Sequence, residues 1–411
     1  MGLRGRSCEF KGVKKKSYEL RVASYSLPFS HSLIYLFKIV LAKSSFVHRV
    51  SSLVHRRTKN KYPDQRINLK KRATNNDQRQ KVTMCRIAGI ISDTLTLSAM
   101  EDGVNRMCNA MHKGGPDGFG FHSLPALQLV FGHRRLSLID LTENGKQPMC
   151  YNEQLWITFN GEIYNYLELK EDLIAKGFTF QNQTDTEVIL AGYQAYGTDF
   201  FKALKGMFAF ALLDQYTKQT FLVRDGMGIK PLYYHSDANN LYFASEIKAF
   251  TAFNTHWKEN TDWPIYFLSF GFIPEPYTTL EGVYHLPKGH FLTYDHVSKK
   301  NKIKKFTNNY PVVVQTDQHT AETAMKANLD RAVKRHLISD APIGVFLSGG
   351  IDSSLLSIIA NEQHAQTINT VSINFNEPEF SEQQYQELIA QQIQSKHVSL
   401  TVSAKDFEQH I

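Results

Sequence analysis

The chain is poor in cysteine, and this scarcity excludes two classes of protein. Only four cysteines occur among 411 residues, Cys8, Cys85, Cys108 and Cys150, and their spacings match no metal-binding pattern. A small disulfide-stabilised secreted fold and a cysteine-ligated metal domain are therefore excluded. Reduced thiols and a cytoplasmic location are expected.

A long apolar run is also lacking. The patch SLIYLFKIVLA, residues 32–42, is interrupted by Lys38 and is shorter than the ~20 residues that a membrane-spanning helix needs. We therefore expect no membrane partner.

Acidic residues are scarce at the start of the chain. Residues 1–83 contain 20 Lys and Arg against 4 Asp and Glu, whereas the remainder contains 27 against 35. The acidic remainder argues against a nucleic-acid partner. Residues 1–84 are predicted to be a basic extension, either translated upstream sequence or a leader, and the first interpretation is preferred because no clear cleavage site follows the apolar patch.

The remainder is dense in regular patterns. Strands are predicted in LQLVFGHRRLSLID, LWITFNGEIYN, MFAFALLD, TFLVRD and LYFASE, and helices in YLELKEDLIAKG and DTEVILAGYQAYG. Many short strands with few helices predict layered sheets covered by helices.

A set of motifs in this part resembles a known family. MCRIAGIIS, GGPDGFG, GHRRLSLIDL, FNGEIYN, TDTEVIL, GMFAFALLD, RDGMGIKPLYY and FASEIKA are similar to the glutamine amidotransferase domain of glutamine-hydrolysing asparagine synthetases, in the same order. The resemblance implies a four-layer αββα N-terminal-nucleophile hydrolase domain over residues 85–262, within an α+β class.

The resemblance assigns the chemistry of this domain to particular residues. Cys85 would attack the carboxamide of glutamine, with its own free α-amino group as the base, since the pKa of such an amine lies near ~7.7 to 8.0. Cys85 is able to act in this way only as residue one. Asn160 and the backbone N–H of Gly161 would form the oxyanion hole. Glutamine itself would be held by Arg135 at its carboxylate and by Glu162 and Asp185 at its ammonium group.

Simpler interpretations stand beside these. Cys108 and Cys150 match no nucleophile position and are predicted to be small core residues. Arg135 would alternatively brace a strand end, and Asp185 would cap the helix that begins with TEVIL. For Asp185 the two roles are compatible.

Two positions depart from the family pattern. Arg86 follows the nucleophile where the family commonly has glycine or another small residue. Gly114 stands in KGGPD, residues 113–117, where the family commonly reads HRGPD. The first departure would crowd or merely decorate the site, and the second puts the support of that loop in doubt.

A second Gly-rich motif lies in APIGVFLSGGIDSSLLSIIANE. The strand GVFL runs into SGGIDSS and then a helix, which brings backbone N–H groups close to a polyanion. The motif lacks the G-K-[ST] ending of a Walker loop and resembles the pyrophosphate loop of ATP pyrophosphatases. The resemblance implies ATP binding by Ser348, Gly349, Gly350, Asp352 and Ser353, with Leu347 and Ile373 at the adenine, and Mg²⁺ binding by Asp352.

The domain plan follows from these motifs. Residues 263–320 are predicted to connect the domains, with VSKKNKIKKFTNN as an exposed basic loop. The segment that follows, AETAMKANLDRAVKRHL, is predicted to be a helix. Residues 321–411 are predicted to be a partial α/β parallel-sheet, Rossmann-like ATP-pyrophosphatase domain with about two strand–helix units.

The implied activity is glutamine-dependent asparagine synthesis. The substrates would be glutamine, aspartate and ATP, and the cofactor would be Mg²⁺. The products would be asparagine, AMP and pyrophosphate. A homodimer is considered as the assembly. Three alternatives stay open: amidation of another acid or sugar, a stand-alone glutaminase, and a non-catalytic, membrane-associated product that keeps the basic extension. A nucleic-acid-binding tail is a fourth and weaker hypothesis.

Overall fold

The computed structural model describes residues 37–40, 84–307, 317–377, 379, 381–403 and 406. The strands are β1 Phe37–Val40, β2 Arg86–Ser92, β3 Gly118–Leu124, β4 Leu129–Arg135, β5 Met149–Tyr151, β6 Leu155–Ile163, β7 Gly206–Asp214, β8 Gln219–Arg224, β9 Tyr233–Ser236, β10 Asn240–Ala244, β11 Tyr284–His285, β12 His290–Asp295, β13 Lys300–Lys305, β14 Ile343–Phe346, β15 Asn369–Phe375 and β16 Lys396–Val402. The helices are α1 Leu97–Ala110, α2 Tyr166–Ala175, α3 Asp185–Tyr196, α4 Lys248–Phe253, α5 Trp263–Phe270, α6 Gln318–His336, α7 Ile351–Gln363 and α8 Gln383–Gln392.

Two six-stranded sheets form the centre of the first domain. One has the strand order β11-β9-β10-β2-β4-β3 and the other β13-β12-β8-β7-β6-β5. Apolar side chains of both sheets, among them Phe131, Leu222 and Phe243, pack into one buried cluster between them. Strands such as β2 and β7 are buried on both faces, so they are almost continuously apolar rather than alternating.

Helices cover the outer faces of the two sheets. Helix α1 packs on β2 and β4, and together with α4 it buries Met100, Val104 and Phe250. Helices α2 and α3 cover the second sheet, where Leu173 and Ile189 are buried. The resulting order of helix, sheet, sheet, helix is the predicted four-layer αββα arrangement, which is confirmed.

The buried apolar core of the first domain is formed by one continuous stretch of chain. The buried residues of its three apolar clusters all lie between Ile87 and Phe306. Since burial of apolar surface is the dominant favourable term in folding, these clusters supply much of the stability of this stretch.

The second domain is built on a parallel sheet. Strands β14, β15 and β16 pair in parallel, and α7 and α8 connect them. Strand β1 pairs antiparallel with β14 at the edge of this sheet. The predicted strand in GVFL and the predicted helix in AETAMKANLDRAVKRHL are present as β14 and α6.

Three segments differ from the sequence-based expectation or extend it. The predicted basic loop is wrong in part, because Lys300–Lys305 forms strand β13, paired with β12 at a sheet edge. Lysine-rich edge strands resist pairing with other chains, which explains the sequence. The predicted connection 263–320 also contributes β11 and β12 to the sheets of the first domain. Of the predicted basic extension, residues 1–36 and 41–83 lie outside the described residues.

Within the described residues, no helix combines the length and apolar character that crossing a membrane requires.

Candidate active site

Cys85 lies immediately before β2, at the end of the gap between the two sheets. Its Sγ accepts a hydrogen bond from the backbone N–H of Leu136 at 3.2 Å and donates to the carbonyl oxygen of the same residue at 3.4 Å. Burial raises the pKa of the Cys85 thiol, and the Leu136 hydrogen bond and the charges of Lys230 and Arg135 oppose that shift. The fold thus fixes the sulfur, and the two nearby cations offset only part of the effect of burial, which favours the protonated thiol.

Lys230 and Met84 lie beside the thiol. The Nζ atom of Lys230 is 2.7 Å from the Sδ atom of Met84, and Lys230 is 3% exposed. Burial lowers the pKa of Lys230 to about 8, although the negative charge of Glu162 opposes this. The Met84 side chain therefore occupies space in the cavity beside the Cys85 thiol.

Asn160 and Gly161 are adjacent on β6. The Asn160 side chain is fully buried, its Nδ2 lies 3.5 Å from Oγ of Ser245, and its Oδ1 has no hydrogen-bond partner among the described residues. A Cβ atom on Gly161 would lie 2.2 Å from the carbonyl oxygen of Met207, so only glycine fits here. Asn160 and Gly161 are therefore held at fixed positions on β6.

The backbone before Asn160 is fixed from two directions. The Phe159 N–H donates to Oε1 of Gln147 at 2.6 Å, and its carbonyl oxygen accepts from Nε2 of His133 at 3.0 Å. Burial lowers the pKa of His133 to about 3, so this histidine is neutral and joins the two sheets as a hydrogen-bond donor. Gln147 also donates to Oγ1 of Thr186 at 3.2 Å.

Arg135 ends β4 and lines the same cavity. Its guanidinium donates to the carbonyl oxygens of Thr142, at 2.7 Å, and of Asp140. A Cβ atom on Gly145 would lie 2.0 Å from Nη2 of Arg135, so glycine at this position leaves room for the guanidinium in its present orientation. The planar fork is therefore oriented before any anion binds.

Asp185 and Glu162 supply negative charge to the cavity. Asp185 is 5% exposed, and its Oδ2 accepts from the backbone N–H of Ile163 at 2.9 Å. Asp185 is the first residue of α3, whose cap is Thr184, with Oγ1 accepting from the Glu187 N–H. The prediction that Asp185 caps this helix is therefore wrong, because Thr184 is the cap and Asp185 instead ties the helix to β6. Glu162 is 3% exposed.

The structure brings every sequence-predicted residue of the first domain into one cavity. It is about 50 Å³, well below the ~300 Å³ of a typical ligand pocket. Its lining includes all six predicted residues, Cys85, Arg135, Asn160, Gly161, Glu162 and Asp185, and also Met84, Gln147, Thr186 and Lys230. Its small size agrees with the presence of Met84 in it.

Sequence reasoning missed three residues that line this cavity and one residue that contacts Asn160. Gln147, Thr186, Lys230 and Ser245 were not assigned roles, although Lys230 lies in RDGMGIKPLYY and Ser245 in FASEIKA. Their membership of these motifs was the available signal. Their proximity to Cys85 depends on strand pairing across the two sheets, which spacing alone does not show.

The other described cysteines lie outside this cavity. Cys108 is buried in the α1 cluster, as predicted, and burial raises its pKa to about 12. The core prediction for Cys150 is wrong, because its side chain is exposed. Cys150 lies on the short edge strand β5, where alternate residues face outward.

The second Gly-rich motif forms a turn between β14 and α7. Gly349 has φ of +93°, a left-handed value that favours glycine. Ser348 Oγ and Ser353 Oγ are 2.9 Å apart, and the Gly350 N–H donates to Ser348 Oγ at 3.4 Å. Asp352 lies in the first turn of α7 and is exposed.

A cavity of about 330 Å³ adjoins this turn. Leu347, Ser348 and Ile373 line it, together with Gln386, whose Nε2 donates to the Ser348 carbonyl oxygen at 3.1 Å. Leu347 is 1% exposed and Ile373 50%. No group of three or more metal-binding side chains occurs in the part of the chain that the structure describes.

Comparisons with known proteins match both domains of the chain. Residues 84–307 match a family model described as a glutamine amidotransferase domain, and residues 324–411 match one described as asparagine synthase. "Asparagine synthetase [glutamine-hydrolyzing] 1" of Bacillus subtilis is 36% identical over 329 residues, which cover 79% of this chain and 51% of that protein.

A second relative is "Putative asparagine synthetase [glutamine-hydrolyzing] 2" of Methanocaldococcus jannaschii. It is 33% identical over 353 residues, which cover 80% of this chain and 67% of that protein. The chain thus spans about half to two-thirds of the length of these relatives. With two family models matched in order, the chain belongs to the family of glutamine-hydrolysing asparagine synthetases.

Proposed function

We propose that this chain hydrolyses glutamine at Cys85 and that the ammonia is used, with ATP, to convert aspartate into asparagine. The observation that carries the proposal is the single cavity in which Cys85, Asn160, Gly161, Arg135, Glu162 and Asp185 meet. Both family models and the named relatives support the same activity.

Glutamine hydrolysis begins with attack by the thiolate of Cys85 on the substrate carboxamide. The α-amino group of Cys85 takes the thiol proton and later transfers it to the leaving ammonia, which requires Cys85 to be the first residue. Asn160 Nδ2 and the Gly161 N–H donate to the oxygen that becomes negative in the tetrahedral intermediate. Water then releases glutamate from the thioester.

Recognition of glutamine rests on the charged residues of the cavity. Arg135, already oriented by the carbonyl oxygens of Thr142 and Asp140, binds the α-carboxylate. Asp185 and Glu162 accept hydrogen bonds from the α-ammonium group. Removal of the chain before Cys85 takes Met84 out of the cavity and makes room for the substrate.

The second site is proposed to activate aspartate with ATP. The backbone of Ser348, Gly349 and Gly350 and the hydroxyl of Ser353 bind the pyrophosphate part, and Leu347 and Ile373 contact the adenine. The aspartate carboxylate attacks the α-phosphate, pyrophosphate leaves, and ammonia displaces AMP from the resulting acyl-adenylate.

The residues at the second site fit Mg²⁺. Asp352 presents an exposed carboxylate beside the proposed phosphate site, and Mg²⁺ is commonly held by one or two carboxylates together with substrate phosphates. When bound, Mg²⁺ neutralises phosphate charge. The domain limits near residues 84, 262 and 320, a homodimer, a cytoplasmic location and the absence of a nucleic-acid partner stay predictions.

The proposal is tested by product analysis. Chain that begins at Cys85 is incubated with glutamine, aspartate, ATP and Mg²⁺, and asparagine, AMP, pyrophosphate and glutamate are quantified. Equal amounts of the first three are expected. Glutamate release that is indifferent to ATP, without asparagine, would instead support a stand-alone glutaminase, and no glutamate release at all would overturn the proposal.

A further inference from the structure

The two departures from the family motifs, Arg86 and Gly114, lie against each other. A Cβ atom on Gly114 would lie 2.6 Å from Cγ and 2.9 Å from Nε of Arg86, closer than non-bonded atoms approach. Gly114 therefore provides the space that the Arg86 side chain occupies. The substitution of a large residue beside the nucleophile is matched by the loss of a large residue in the facing loop.

The Arg86 guanidinium binds the backbone carbonyl oxygen of Cys85 and that of the residue before it. Its Nη1 donates to the carbonyl oxygen of Met84 at 2.8 Å and to that of Cys85 at 3.0 Å. Only the contact with Cys85 persists when Met84 is removed. Arg86 then holds the residue that carries both the thiol and the α-amino group.

Glu246 anchors the guanidinium from the other side. It forms an ion pair with Nε of Arg86, and the two side chains are 23% and 13% exposed. Burial opposes ionisation of Glu246, but hydrogen bonds from Lys248 and Arg86 outweigh it and hold its pKa below the ordinary value. The preceding residue, Ser245, accepts from the Ile87 N–H at 3.0 Å, so this segment is fixed to β2.

The geometry points to Arg86 as a positioning residue for glutamine hydrolysis: supported by Glu246 and accommodated by Gly114, it holds the carbonyl group of Cys85 and orients its α-amino group. This inference rests on the proposed function. It also assigns Gly114 a purpose, since the lack of a side chain at this position leaves room for Arg86.

The charge of Arg86 also acts on the reaction. The other charged groups around Cys85 are Arg135, Lys230, Glu162, Asp185 and Glu246. The positive charge of Arg86 lowers the pKa of Lys230, so its field reaches the cavity. A cation beside the α-amino group disfavours its protonated form and keeps it available as a base at lower pH.

The test compares four forms of a chain that begins at Met84, whose removal exposes Cys85. This chain retains the whole buried core of the first domain. The forms are the unsubstituted chain, Arg86→Met, Glu246→Gln, and Lys248→Met as the matched control, since Lys248 also pairs with Glu246, at 2.6 Å, but does not contact Cys85. Glutaminase kcat/KM is measured against pH, with Tm as a check on folding.

Opposite pH shifts are expected. Arg86→Met moves the acidic limb of kcat/KM to higher pH by about half a unit or more and lowers its plateau about tenfold, because the guanidinium charge and its hydrogen bond are lost. Glu246→Gln moves the limb to lower pH, and Lys248→Met leaves it in place. Folded Arg86→Met protein with an unchanged profile and rate would overturn the inference.

An exchange variant tests the pairing of the two positions. Gly114→Arg alone places a side chain in occupied space, so a loss of Tm and of activity is expected, whereas Arg86→Gly with Gly114→Arg is expected to recover at least half of the lost Tm. No recovery would overturn the pairing. If the unsubstituted chain itself releases no ammonia, the proposed function fails. If the unsubstituted chain releases ammonia and only the results for the Arg86 variants depart from expectation, this inference fails and the proposed function stands.

Discussion

The cavity at Cys85 and the cavity at Ser348 differ in how the chain encloses them. The first lies between two sheets that are covered by helices, and its side chains Asn160 and Asp185 are 0% and 5% exposed. The second lies beside one parallel sheet, where Ile373 and Phe375 are 50% and 42% exposed. The fold thus encloses the side chains around Cys85, whereas part of the lining of the second cavity is open to solvent.

This comparison predicts that substitutions act separately on the two sites. The largest effect is expected from Cys85→Ala, which removes the nucleophile and lowers glutamine hydrolysis by at least about a thousandfold. ATP binding should be unchanged, because the sites share no residue. Ammonia release and nucleotide titration measure the two effects, and Cys150→Ser, an exposed thiol, is the control. Loss of ATP binding in Cys85→Ala would break the separation.

Asn160→Ala should have the next largest effect. Removing one oxyanion donor typically lowers kcat by about 10²- to 10³-fold, with little change in KM. Steady-state kinetics with glutamine separate the two constants. A rise in KM with unchanged kcat would place Asn160 in substrate binding and contradict the assigned role.

Gly349→Ala is expected to impair the second site and to leave the first site unaffected. The left-handed conformation of Gly349 costs an alanine roughly 1–2 kcal/mol, so ATP binding should weaken about tenfold while glutamine hydrolysis is unaffected. Isothermal titration with ATP and the ammonia assay check the two parts. Equal losses at both sites would show that the sites are coupled.

The smallest predicted effect concerns stability. The pKa of His133 is lowered to about 3 in the folded chain, below the ordinary value near ~6.5, so the folded state binds fewer protons in that range. The stabilisation is full above pH ~6.5 and is lost as the pH falls toward 3. The Tm of the His133→Gln variant should therefore be lower at neutral pH, but it should fall less steeply between pH 6.5 and 4. A parallel decline in both proteins would contradict this.

Most of the first site was predictable from the sequence, for a physical reason. Cys85, Arg135, Asn160 and Asp185 lie in motifs whose residue types suit the chemistry, and strands β4 and β6 have clear apolar patterns. The contacts of Gln147 and Lys230 depend on pairing between distant strands, which local patterns do not encode.

Two errors had a similar origin. KKNKIKK is so rich in lysine that it indicates an exposed loop, yet pairing with β12 makes it an edge strand. Cys150 is short and apolar, yet its position on an edge strand exposes it. In both cases tertiary context decided the outcome against residue type.

Cys85 is proposed to act through its own free α-amino group. The most direct test of this role is glutamine hydrolysis by two forms of the chain whose first residues are verified by intact mass, one beginning at Cys85 and one retaining residues before it. Ammonia release is expected from the first form alone, because in the second form Cys85 has an amide in place of an amine and Met84 lies in the cavity. Equal rates for the two forms would contradict this role.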